Sequence, residues 1–117
     1  MSARTIAFVG YLVDPCPFLL VVYMRYVADH DWTLRADPAM EEIARWVEAA
    51  RSSGSPEAEK AVRRLLDILE DNMQGHSEIR DLITRSFLKK LAPWSGPYDD
   101  FGPLLKAQRQ AIDESLS

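Results

Sequence analysis

Two aspartates and a histidine stand next to one another in the sequence, as Asp29-His30-Asp31. These residue types can bind a metal ion or exchange protons, but a metal site needs three or four ligands that converge on one ion. Successive residues of a helix point about 100° apart, so three in a row cannot converge unless the backbone leaves the helix there. We therefore predict a solvated helix end, with His30 facing the last carbonyls. Asp29, His30 and Asp31 are candidate metal ligands only if the backbone bends.

Asp67, Glu70 and Asp71 lie three and four positions apart, which places them on one face of a predicted helix. Carboxylates grouped in this way can hold a cation, perform acid–base chemistry or attract a basic partner. A metal site would need further ligands from a second element, and the sequence shows no group with matching spacing. We interpret them as a solvated charged face, with docking of a basic protein as the functional alternative.

The segment WSGPYDDFGP, residues 94–103, is rich in turn-forming and aromatic residues. Its prolines stiffen the backbone, and aromatic side chains are enriched where protein interfaces hold most of their binding energy. We therefore expect Trp94, Tyr98 and Phe101 to contact a partner. The alternative is that these side chains fold inward and fasten the loop to the core.

Sequence patterns for other kinds of catalysis are missing. The chain has no G-x-x-x-x-G-K-[ST] phosphate loop and no G-x-S-x-G turn around a serine. The lone Cys16 stands between two prolines, where we expect a buried thiol rather than a nucleophile. We predict neither a catalytic residue nor a cofactor.

Length and charge narrow the functional class further. A chain of 117 residues fits one domain, which we assign to residues 1–117. Its net charge is −4, which argues against nucleic acid as the main partner, because nucleic acid is bound mainly by Lys and Arg. A single cysteine suits the reducing cytoplasm. The apolar runs are shorter than the about 20 residues that span a bilayer, so we predict no membrane association.

The second part of the chain predicts helices with clear starts. Asp37-Pro38 has the form of an N-cap followed by the first helical residue, Ser55-Pro56 repeats it, and Pro103 opens a later helix. Apolar residues recur at helical spacing in four predicted helices, over about 38–52, 56–74, 78–91 and 103–116. Their short connections favour antiparallel hairpins.

The first 36 residues permit two interpretations. TIAFVGYLV and FLLVVYMRYV are rich in β-branched and aromatic residues, so either could form a buried strand. We favour helices over about 3–13 and 17–30, and the second is apolar almost all round, which predicts a central, buried position. The predicted fold is all-α, with five or six helices in antiparallel hairpins around the second and fourth helices. The alternative is α+β with an N-terminal β-hairpin.

Three segments, MEEIARWVEA, VRRLLDILEDN and DLITRSFLKKL, carry a family resemblance, together with Phe8 and the stretch YLVDPCP. In these positions the chain resembles a family of small, mostly helical bacterial proteins classed as a domain of unknown function. The resemblance implies a helical fold and assigns no catalytic residue. In size and acidity the chain is also similar to bacterial immunity and antitoxin proteins, which implies a protein partner such as a basic toxin.

The function we predict is therefore that of a non-enzymatic protein-binding domain. Its narrower form is a bacterial immunity or antitoxin-like protein that neutralises a basic partner by occlusion. The alternative is a small metal-dependent or carboxylate-based hydrolase, which requires the chain after the second helix to fold back over the fourth. Its site would combine the following side chains: Asp29, Asp31, Asp67 and Glu70, with His30 or His76.

Overall fold

The computed structural model describes residues 3–29, 35–91 and 102–116, and all regular structure in these ranges is helical. The α-helices are α1 (Ala3–Tyr11), α2 (Leu19–Asp29), α3 (Ala36–Ser53), α4 (Pro56–Asn72), α5 (Ser77–Leu82) and α6 (Pro103–Leu116). A π-helical turn (Ile83–Phe87) and a 3-10 turn (Leu88–Lys90) continue α5. The predicted all-α fold with five or six helices is confirmed.

The N-terminal apolar runs form two helices, and the β-hairpin alternative is wrong, because residues 3–29 contain no strand. Pro15 and Pro17 lie in the turn between α1 and α2, since proline in a helix interior removes a hydrogen bond and clashes with the preceding turn. Cys16, between them, is fully buried. The Cys16 side chain therefore belongs to the core, while Asp14 and Pro17 of the same turn are exposed.

Two aromatic contacts fix the N-terminal helices in place. The buried hydroxyl of Tyr23 on α2 donates a hydrogen bond to the carbonyl of Val9 on α1, at 2.8 Å. Phe18, just before α2, stacks on Trp46 of α3 with ring centroids 4.6 Å apart. These contacts join α1 to α2 and both of them to α3.

The central helix of the described structure is α3, which contacts α1, α2, α4, α5 and the π turn. The buried residues of α3 are mostly small or aliphatic: Ala36, Ala39, Met40, Ile43, Ala44, Val47 and Ala50. The predicted central position of α2 is wrong. It buries Leu19, Tyr23 and Tyr26 on one side and leaves apolar residues exposed on the other.

The start of α3 also differs from the prediction. Arg35 is its N-cap residue and makes no side-chain capping hydrogen bond. Asp37, the predicted N-cap, lies inside the first helical turn, and its carboxylate instead accepts hydrogen bonds from Arg85 and Ser86. The Asp37 side chain therefore links α3 to the π turn.

The junction between α3 and α4 follows its sequence signals. Gly54 ends α3 with φ at 68°, in the left-handed region that favours glycine, and its N–H bonds the carbonyl of Arg51. The hydroxyl of Ser55 accepts a hydrogen bond from the N–H of Ala58, at 3.4 Å, and Pro56 opens α4. The predicted N-cap of α4 is confirmed.

The helix predicted over 78–91 is present, and residues 77–90 are helical throughout, but its second half is a π turn and a 3-10 turn rather than an α-helix. The N–H of Leu88 bonds both the Ile83 and the Thr84 carbonyls. Ser86, Phe87 and Leu88 are all buried. Three consecutive residues of a regular α-helix fan out over about 200°, so they do not normally all face inward. All three are buried here, where the π turn ends at Phe87 and the 3-10 turn begins at Leu88.

The last helix carries a buried charge that its apolar pattern does not predict. Leu105 and Ile112 face the core as predicted, and Arg109 lies between them with only 2% of its surface exposed. Its Nη1 donates to the carbonyls of Leu88 and Leu91. The guanidinium therefore fastens α6 to the end of the 3-10 turn. The side chain of Leu116, also predicted to face inward, lies outside the described side chains.

Candidate functional site

The structure describes only one of the three candidate metal ligands Asp29, His30 and Asp31. Asp29 is the last residue of α2, and its side chain is exposed. His30 and Asp31 lie outside the described residues. Across the described ranges, no three His, Cys, Asp or Glu side chains come together in a way that could hold a metal ion. The structure therefore offers no second group of ligands for Asp29 within those ranges.

The acidic residues of α4 do not act as one group. Asp67 and Asp71 are exposed. The Glu70 carboxylate instead accepts hydrogen bonds from the backbone N–H groups of Leu104 and Leu105, at 3.0 and 2.9 Å. Glu70 thus supplies acceptors to the start of α6, where the helix dipole also favours a negative charge. It has a structural role, and two of the three carboxylates remain available to a partner.

Gly102 makes this contact possible. A β-carbon at position 102 would collide with the Glu70 side chain. Glu70 could rotate away only by giving up its two hydrogen bonds to α6. The absence of a side chain at Gly102 is therefore a requirement of the cap.

We expect Glu70→Ala to lower the free energy of unfolding by about 1–2 kcal/mol, the usual cost of removing a helix cap. Urea denaturation followed by circular dichroism measures this loss. Asp71→Ala removes an exposed carboxylate from the next position of α4 and is the matched control. Equal losses in the two variants would show that Glu70 does not cap α6.

The predicted aromatic contact residues Trp94, Tyr98 and Phe101 lie outside the described residues. Their assignment to a partner-binding loop stays a prediction. The described structure on either side of them ends at Leu91 and resumes at Gly102.

A polar pocket of about 410 Å³ lies where the start of α3 meets the π and 3-10 turns. Its lining residues are Asp37, Glu41, Arg85, Ser86, Lys89 and Lys90. Arg85 pairs with Asp37 at 2.8 Å, and Lys90 pairs with Glu41 at 3.6 Å. Opposite charges from two parts of the chain therefore meet across the pocket.

Ser86 is the one hydroxyl among the pocket residues described here, and its Oγ donates to Asp37 at 2.6 Å. Partial burial acts to raise the pKa of Asp37, but hydrogen bonds from Ser86 and Arg85 and the charge of Arg85 outweigh it and hold the pKa below its ordinary value. A carboxylate with a lowered pKa is a weak base, and it cannot readily activate a serine. The hydrogen bonds of Asp37 with Arg85 and Ser86 are better explained as a structural link between α3 and the π turn.

The lowered pKa of Asp37 predicts a pH dependence of stability. A folded-state pKa below the unfolded value, about 3.9, means that the ionised form stabilises the fold above that pH. This contribution is lost as the pH falls through the folded pKa. We therefore expect the stability difference between the wild type and Asp37→Asn to shrink on acidification below about pH 4.

Urea denaturation of both chains from pH 7 to pH 2 measures this difference. Asp71→Asn removes one exposed carboxylate from α4 and corrects for the change in net charge. A wild-type advantage over Asp37→Asn that stayed constant down to the lowest pH would contradict the prediction.

The outer face of α1 and α2 is the most unusual surface of the described structure. All large apolar side chains that the described residues expose belong to these two helices: Ile6, Tyr11, Leu20, Val21 and Met24. Their exposed fractions range from 37% to 61%. We call this set the outer apolar face.

On α1 and α2, apolar residues occupy both the side that is buried and the side that is exposed. On α2, Leu20, Val21 and Met24 lie opposite the buried Leu19 and Tyr23, since successive residues turn by about 100°. Both helices pack on α3 through their buried sides, so their outer sides turn away from it. The apolar residues that predicted a central position for α2 therefore form a surface.

Large exposed apolar side chains that are concentrated in one part of a structure mark an interaction site more often than a scatter of single residues does. None of the helices in the described ranges has the length and apolar composition needed to cross a bilayer. The sequence contained a sign of this surface, because a short helix that is apolar all round needs other helices or a partner to shield both of its sides from water. What the sequence did not show was that the residues of ranges 3–29, 35–91 and 102–116 cover only one of these sides.

Fold and surface together define an all-α structure whose first two helices expose large apolar side chains. Comparison with protein-family models, with curated proteins and with solved structures gives no match. The resemblance to a family of small helical bacterial proteins therefore stays a prediction.

Proposed function

We propose that this chain is a non-enzymatic protein-binding domain and that the outer apolar face is its contact surface. The observation that carries the proposal is the exposure of Ile6, Tyr11, Leu20, Val21 and Met24 on α1 and α2, which together hold all the large apolar side chains that the described residues expose. Removing apolar surface from water stabilises an association by about 25 cal/mol per Å² before the costs of binding. Tyrosine and methionine are also among the residues enriched at protein interfaces.

The architecture suits rigid docking. The outer residues sit on helices whose inner sides are held by Tyr23, Phe18 and the core of α3. Little backbone order would have to be created on binding, which keeps the entropic cost low. The lone, buried Cys16 suits a reducing compartment, and we place the protein in the cytoplasm.

Site-specific photo-crosslinking tests this proposal. A benzophenone side chain at position 20 or 24 should give protein adducts of defined mass on irradiation in cells. The control carries the same group at position 60, an exposed site on α4. Adducts from positions 20 and 24 that are absent from position 60 are expected. No adduct from either face position, or equal labelling at all three, would overturn the proposal.

A narrower form of the proposal is a bacterial immunity or antitoxin-like protein that occludes a basic toxin. It is favoured by the net charge of −4 and by the exposure of Asp67 and Asp71 on α4. Complementary charge would speed the encounter with a basic partner. If this form is right, reversing both charges with Asp67→Lys and Asp71→Lys should slow association with such a toxin and weaken its dependence on salt.

No group of described residues favours the hydrolase alternative, which calorimetric titration with divalent metal ions would test.

A further inference from the structure

We infer that the protein bound by the outer apolar face is a second copy of this chain, in a two-fold symmetric dimer. This inference rests on the proposed function, because it names the partner for the same surface. Most soluble oligomers are symmetric homo-oligomers, and the two-fold dimer is the commonest. In such a dimer the same patch must be complementary to itself.

The chemistry of the outer apolar face meets that condition. Ile6, Leu20, Val21 and Met24 are aliphatic or thioether side chains that need no matching donor or opposite charge on the other side. Methionine is flexible and adapts its shape to a neighbour, including its own copy. Apart from the Tyr11 hydroxyl, the side chains that define this face bring no polar group that would need a partner on the other copy.

The charge distribution also favours a second copy at this face. Residues 3–29 contain two arginines and two aspartates, Arg4, Arg25, Asp14 and Asp29, and therefore carry no net charge. The whole chain carries −4, so the negative excess lies in the remaining residues. Two copies that meet through α1 and α2 bring together their neutral regions and keep their acidic regions apart.

The exposed apolar area of these side chains reaches the lower limit for a dimer if all of it is buried on both copies. The exposed parts of its large apolar side chains amount to roughly 500 Å² per chain, at the upper end of the range for the largest apolar patch of a typical monomer. Burial on both copies gives about 1,000 Å², the lower bound for a specific interface. Exposed small or polar neighbours extend it: Ala7, Gly10, Pro17, Arg25 and Ala28.

A membrane surface fits these observations less well. Helices that lie in the membrane interface carry a Lys- and Arg-rich polar side, which draws them to anionic lipids. The charges of residues 3–29 instead balance, and the chain as a whole is acidic. A protein surface of the same apolar character is the better match.

Sedimentation equilibrium of the full chain tests the inference. The wild type is expected to sediment as a dimer of the 13.3 kDa chain at micromolar concentrations. Val21→Glu and Met24→Glu place charges in the centre of the face and should each weaken the dimer at least tenfold, with unchanged helical circular dichroism. Ala107→Glu adds the same charge at an exposed position of α6 and should leave the dimer intact.

A cysteine substitution gives an independent readout. In a dimer centred on this part of α2, Met24→Cys places two thiols near the symmetry axis, and mild oxidation should link the chains. The native Cys16 is buried and does not compete. Lys60→Cys, on the exposed side of α4, is the control and should stay unlinked.

A wild type that stays monomeric to the highest attainable concentration would overturn the inference, as would a dimer that survives both glutamate substitutions. Failure of the dimer is distinguishable from failure of the proposed function. If the chain is monomeric but still gives face-specific photo-adducts whose mass differs from that of two linked copies, the proposed binding function stands and the second copy is ruled out as the partner. If the chain is monomeric and gives no face-specific photo-adduct, both the dimer and the proposed binding function are ruled out.

Discussion

Arg109→Ala is expected to lower the free energy of unfolding by about 3 kcal/mol, because it removes charge-assisted hydrogen bonds, which contribute about 1.5–3 kcal/mol, and the packing of the side-chain stem. Arg109 is 2% exposed, and its guanidinium donates to the carbonyls of Leu88 and Leu91. Alanine would leave both carbonyls without these donors and create a cavity under α6. An unsatisfied buried acceptor costs about 1–3 kcal/mol by itself. Urea denaturation at neutral pH gives the loss directly.

Two further variants make the result specific. Gln110→Ala changes an exposed neighbour on the same helix and should shift stability by less than about 0.5 kcal/mol. Arg109→Lys keeps the charge but lacks the planar fork of donors, so an intermediate loss is expected. A lysine variant as stable as the wild type would show that charge alone, rather than the paired geometry, holds α6.

Phe87→Ala is expected to cost about 3–5 kcal/mol, the range for a fully buried phenylalanine. Phe87 is completely buried at the end of the π turn, beside the buried Ser86 and Leu88. The substitution removes a large ring from a region where α3 meets the π turn. The same denaturation experiment measures the effect, with the helical signal at low denaturant as a check on folding.

Lys89→Ala is the matched control, since Lys89 is exposed only two positions further along the chain. It should change stability by less than about 0.5 kcal/mol. Phe87→Leu keeps most of the apolar volume and should fall between the two. A loss below about 1 kcal/mol for Phe87→Ala would mean that the π turn relaxes to α-helical geometry and expels the side chain.

Local signals in the sequence were enough to predict the junction between α3 and α4 and the buried side of α4. Ser55-Pro56 and Gly54 mark helix ends through backbone chemistry that acts within a few residues, and the structure keeps them. The apolar spacing of Val62, Leu65 and Leu69 likewise predicted the buried side of α4. These features need no knowledge of distant parts of the chain.

Features that depend on distant contacts were not predictable in this way. Glu70 looked like a member of an acidic patch, but its carboxylate bonds α6, 34 residues away. Asp37 looked like a helix cap, but it bonds Ser86, 49 positions further on. The outer apolar face is a similar case, because composition shows that α2 is apolar all round and cannot say which side the chain covers. Such assignments require the packing of whole helices.

Because Cys16 is buried, the rate at which it reacts with a thiol reagent can report how often the N-terminal region opens. It is the only cysteine of the chain, and it lies in the turn that holds α1 against α2. Burial raises the pKa of its thiol, and the positive charge of Arg64 only partly offsets this. Thiol reagents attack the exposed thiolate, so labelling must wait until this region opens. The labelling rate therefore reports how often the N-terminal helices detach, and a partner seated on their outer sides would slow it.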